Sequence, residues 1–153
     1  MKLKRMEMRD ITVGEYRFKV RPFGAKDSIY IFGDVASIIL PILGTVSVAS
    51  DNKDAVSMEM FDGMDMDKDS LVKALGRIND KALSKLVSEL LLEHSNVLAL
   101  NPEDGRYKVM TEDDFDEIFC QYLAGMLNLC AEVIRLNFSG FFKDASTLFG
   151  GLI

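Results

Sequence analysis

The sequence predicts a mainly α-helical domain with a minor antiparallel β component: a short N-terminal strand or hairpin, and a small β-hairpin inserted between helices. Three observations carry this. Apolar residues recur at three- and four-residue spacing through most of the chain. Strict alternation is confined to the segment "YRFKV" near the start. One strong turn pair, Asp104-Gly105, lies between the short apolar runs "VLAL" and "YKVM". At 153 residues the chain fits one domain, 1–153, large enough to bury a real core. Its 48% hydrophobic and 27% charged content is that of a folded globule rather than a disordered chain.

Taken in order, Tyr16, Phe18 and Val20 alternate with Arg17, Lys19 and Arg21, the period of a half-buried strand. Gly14-Glu15 can turn a preceding strand, Ile11 to Val13, into its hairpin partner. Pro22 has no N–H to donate and ends the ladder. A helix follows from about 25 to 43, with Ile29, Phe32, Val35, Ala36, Ile39 and Leu43 as its inward stripe. Pro41 should kink or end it, and Gly44 should stop it. The stretch 49–69 has mixed polarity and no sustained period, and reads as a mobile loop. A helix begins at about Asp69 or Ser70, with Leu71, Val72, Leu75 and Ile78 on one stripe. Asp80 can cap the next, with Leu83, Leu86, Val87, Leu90 and Leu91 inward. After the hairpin, Thr111 with Asp114 makes a near capping box for one long, largely buried helix. Its broad stripe runs Phe115, Ile118, Phe119, Tyr122, Leu123, Met126, Leu127, Leu129, Cys130, Val133 and Ile134.

The search for chemistry excludes more than it finds. A formal net charge of −6 argues against nucleic acid, whose binding rests on phosphate neutralisation by Lys and Arg. The apolar run 35–50 is shorter than the ~20 residues that span a bilayer and contains Pro41 and Gly44, so it reads as a core helix. No apolar segment of secretory type follows the charged N-terminus, and a cytoplasmic protein is expected. Cys120 and Cys130 fall on one predicted helix, ~15 Å apart at 1.5 Å per residue, too far to pair. Both read as small hydrophobes on an apolar face. His94, the one histidine, sits at a helix end and suits a partner of the C-terminal dipole. Asp62, Asp65, Asp67 and Asp69 imitate the start of a calcium loop, but Ser70 and Gly76 stand where that loop needs Gly and Glu. No phosphate-cradling glycine pattern and no nucleophile elbow occurs. No metal or cofactor is expected.

Two features suit interaction instead. Met58, Met60, Met64 and Met66 cluster in the weakly patterned segment, and methionine adapts to varied apolar partners, although it can equally lid a core. The aromatic C-terminus holds Phe138, Phe141, Phe142 and Phe149. Phe138 and Phe141 continue the inward stripe. Phe142 and Phe149 lie where the helix should fray past Gly140, and are the better candidates for partner contact.

As a whole, the layout resembles the tail assembly chaperones of tailed bacteriophages and prophages. The nearest echoes are "RPFGA", "DFDEIF" and "EVIRLNFSGFF", within a diffuse pattern that spans most of the chain. The segment from Met58 to Asp69 departs from it. The resemblance implies a non-enzymatic role in the host cytoplasm. Such proteins bind the long, aggregation-prone tape measure protein before tail tube subunits polymerise around it, and are absent from the finished virion. In some families a frameshifted, longer form recruits tube protein, which makes tube protein a second candidate partner. Self-association is left open. The competing readings are a structural tail or capsid component and a small carboxylate-dependent, metal-binding enzyme.

Overall fold

The computed structural model describes residues 6–48 and 68–150, with side chains described for 6–39, 41–42 and 68–139. The elements run β1 (Arg9–Val13), β2 (Tyr16–Val20), α1 (Ala25–Val48), α2 (Lys68–Leu75), α3 (Asp80–Leu91), β3 (Val97–Asn101), β4 (Arg106–Val109), α4 (Glu112–Ile118) and α5 (Leu123–Gly150). The expected loop at 49–69 lies outside the described residues except for Lys68 and Asp69, which open α2.

The chain is mainly helical, as the spacing predicts, but its β component is larger than two separate hairpins. Phe18 pairs with Ala99 and Val20 with Val97, so the hairpins join edge to edge into one antiparallel sheet of order β1-β2-β3-β4. Alternation sends Phe18 and Val20 inward at zero exposure. On the other face Lys19 lies over the Tyr107 ring, 4.7 Å from its centroid. Both turns need a glycine: Gly14 has φ +58° and Gly105 φ +68°.

Against the sheet lies α5, in which Leu129, Cys130, Ala131, Val133 and Ile134 are fully buried. Two asparagines fasten the layers. Asn137 Oδ1 accepts the Phe23 N–H at 2.8 Å, while Asn137 Nδ2 donates to the Val133 carbonyl. The buried Asn96 donates from Nδ2 to the Leu90 carbonyl at 2.8 Å, and its own carbonyl accepts the Arg21 N–H at 2.8 Å. The first bond ties the exit of β2 to α5. The second pair ties the end of α3 to the start of β3.

Four expectations need correction. The inward stripe of α1 is Ile31, Val35 and Ile39, at four-residue steps, whereas Ile29 is 71% exposed. Neither Pro41 nor Gly44 ends α1, which continues to Val48. Pro41 and Ser37 are both exposed, so the hydrogen bond that Pro41 cannot donate is lost on the outer side of the helix. The cap of α3 is Asn79, whose Oδ1 accepts the Ala82 N–H at 2.9 Å, rather than Asp80. The long C-terminal helix is two helices. Gln121 takes φ +56°, and Tyr122 N–H turns back to the Phe119 carbonyl at 3.0 Å. This break lays Phe119 on the Phe18 ring, with centroids 6.1 Å apart. It also seats the Tyr122 ring where a Cβ on Gly14 or Gly125 would collide with it. Leu123, expected inward, is 61% exposed in consequence.

Where α1 meets α3, Lys85 Nζ lies 3.7 Å from Asp34 Oδ2. Glu89, one turn further along α3, is half-buried beside the same aspartate. Burial first, then a hydrogen bond to Asp34 and the Asp34 charge, push the Glu89 carboxyl up to about 7. One oxygen, Oε2, is buried without a hydrogen-bond partner. A proton held on Glu89 lets one carboxyl donate to the other.

Leu129→Ala should cost ~2–5 kcal/mol of stability, and Leu123→Ala less than about 0.5 kcal/mol, in denaturant titrations. A similar cost at both would place the helix face wrongly. A carboxyl held above its unfolded value of 4.5 favours the fold most below that pH, and loses that contribution as pH rises through about 7. Gln keeps a donor toward Asp34 and cannot ionise. Glu89→Gln should therefore raise the melting temperature at pH 8 and leave it nearly unchanged at pH 4, both read by thermal melts.

Candidate functional site

Three helices border a hollow whose charged lining residues are all acidic. Asn79 starts α3 so that Leu83 and Val87 stand one turn apart on the side toward α4. Thr111 starts α4 with a full capping box: Thr111 Oγ1 accepts the Asp114 N–H and Asp114 Oδ2 accepts the Thr111 N–H, both at 3.1 Å. The cap matters because α4 buries no residue completely and holds five acids in "EDDFDEI". Gln121 then turns the chain so that Met126 of α5 closes the third side.

The resulting groove holds about 520 Å³. Leu83, Val87, Leu92, Phe115 and Met126 pack on the core and form its floor. Asp80, Glu112 and Asp116 are exposed and form its rim, with Ser84 and Ser88 between. No Lys, Arg or His lines it. Among the described residues, none of the three rim carboxylates makes an ion pair. Two further hollows mix charges: one lies beside Arg9, Asp10, Glu132 and Arg135, the other beside Lys108, Asp114 and Glu117.

The residues singled out from sequence fare unevenly. Phe138 is buried and tilts against Phe32 at 5.7 Å. The α5 backbone stays helical through Gly140 to Gly150, so the expected fraying there does not occur. The side chains of Phe141, Phe142 and Phe149 lie outside the described set, as do Met58, Met60, Met64, Met66, Asp62, Asp65 and Asp67. His94 follows α3 in a turn, and its partner is a carboxylate rather than a helix dipole: Nδ1 lies 3.5 Å from Asp27 Oδ2, and Phe23 meets the ring edgewise at 5.5 Å. The cysteines do not share a helix. Cys120 is exposed in the α4–α5 break, while Cys130 is buried and its thiol is pushed up to about 12 by burial. Among the described residues, no group of three or more His, Cys, Asp or Glu side chains could hold a metal ion, and no helix is long and apolar enough to cross a membrane.

Sequence reasoning missed the groove. It read Leu83, Phe115 and Met126 as core stripe. The available signal was the run of five acids in seven residues with no Lys or Arg inside it.

The model of one protein family, phage tail assembly chaperone protein, TAC, matches residues 14–150. The chain belongs to that family. No curated protein and no solved structure matches it. The matched span begins at the β1–β2 turn and takes in the whole groove of this tail assembly chaperone. The segments "RPFGA" and "EVIRLNFSGFF" touch in its fold, through the Phe23–Asn137 hydrogen bond.

Alkylation of the native chaperone should modify Cys120 and spare Cys130 until the protein is unfolded. Intact-mass spectrometry before and after denaturant reads this directly, and two modifications under native conditions would contradict the burial of Cys130.

Proposed function

We propose that this chaperone binds the tape measure protein of its phage in the host cytoplasm and holds it for tail tube assembly, without catalysis. Family membership over residues 14–150 carries the reading. A net charge of −6 supports it physically, because a charged surface keeps a complex with an apolar client in solution. Tail tube protein is a second candidate partner. Phe142 and Phe149 of α5 are proposed as contact residues, and Met58, Met60, Met64 and Met66 as further, adaptable apolar contacts.

The test is co-purification with the tape measure protein from the same phage, paired with thermal melts. Strong interface anchors cost about 2 kcal/mol or more on truncation, so Phe142→Ala or Phe149→Ala should weaken retention by roughly thirtyfold while the melting temperature holds. Unchanged retention with a collapsed melting temperature would make these rings part of the core. Failure of the unaltered protein to retain the tape measure protein would remove the reading itself.

A further inference from the structure

We propose that the groove between α3, α4 and α5 seats an amphipathic helical segment of the client, one that carries Lys or Arg beside its apolar stripe. The inference rests on the client-binding reading and adds the place and the chemistry of the contact.

The floor supplies the apolar half. Phe115 and Met126 are only partly buried although both pack on the core, so part of each side chain remains open to the groove. An aromatic ring beside a flexible thioether accepts apolar side chains of varied shape. Leu83 and Val87 prolong the floor along α3 at helical spacing, which suits an incoming helix presenting anchors at three- and four-residue steps.

The rim supplies the sign. Asp80 stands at the start of α3, and Glu112 and Asp116 stand one turn apart on α4. None is neutralised within the described chain. Asp113 and Glu117 add to the same field from neighbouring positions of α4. Such a rim attracts cationic side chains and repels acidic ones, and so fixes which segments enter and in which register. A second copy of the chain is the poorer occupant, since a protein of net charge −6 brings like charge to an acidic rim.

The experiment uses the full-length chaperone and overlapping labelled peptides of about 20 residues, each ~30 Å long as a helix, that tile the cognate tape measure protein. Binding is read by fluorescence anisotropy. The retained peptides should be amphipathic and basic. Replacing their Lys and Arg by Glu should weaken binding to the unaltered protein at least about tenfold, as should raising salt to about 0.5 M. Asp116→Lys should weaken binding to the basic peptide and recover binding to its acidic counterpart, while Asp10→Lys, an equal change of charge outside the groove, should do neither. If the whole tape measure protein is retained but its bound segments are not basic, or Asp116→Lys acts no differently from Asp10→Lys, the groove is not the seat and the client reading stands. If neither the peptides nor the whole protein binds, both readings fall together.

Discussion

The stretch from Leu129 to Ile134 constrains everything around it. Five of its six residues have no exposed surface, on a helix whose residues point in all directions. At roughly 25 cal/mol per Å² of apolar surface, such a helix is stable only when it is covered on nearly every side. The sheet covers one side, α2 and α3 cover others, and Phe32 of α1 reaches Phe138. The exception, Glu132, marks where coverage is thinnest, and it meets Lys68 of α2 at 3.3 Å and Arg135 at 3.6 Å. The asparagine ties follow from the same demand. A layer pressed on a helix this apolar has few polar atoms with which to fix its position, so Asn137 and Asn96 each reach for a backbone group of another element.

Much of this was legible because periodicity reports burial directly. β2, α2, α3 and the core half of α5 stand where spacing placed them, and Asp104-Gly105 turns as its composition demands. What was not legible depends on partners distant in sequence. The pairing of Phe18 with Ala99 joins residues that no local pattern connects. In α1 the spacing placed Val35 and Ile39 inward but took Ile29 in place of Ile31, since the two are equally apolar. The α4–α5 break was hidden because Phe115, Phe119, Tyr122 and Met126 continue one helical stripe. The positive φ at Gln121 comes from the need to place Tyr122 against two glycines, not from any breaker residue.

The groove was illegible for the same reason. Its walls come from the start of α3, the turn after α3, the outer side of α4 and the first turn of α5. Each contribution looks ordinary by itself: a partly buried leucine, an acid in a first helical turn. Their meaning lies in the juxtaposition, which the break at Gln121 creates by setting α4 across the bundle instead of in line with α5.

The bond between Phe23 and Asn137 spans 114 positions of sequence. On the ribosome, at ~5–20 residues per second, roughly ten seconds separate the two residues. For most of that interval β1, β2 and α1 are already made, while α5, the helix they enclose, has yet to appear. Their inward residues, Phe18, Val20, Val35 and Ile39, lack the buried half of α5 that completes their core. A topology of this kind delays completion of the core until synthesis is nearly over, because its longest-range contacts form last. During its own birth, the future chaperone is a nascent chain with uncovered apolar faces.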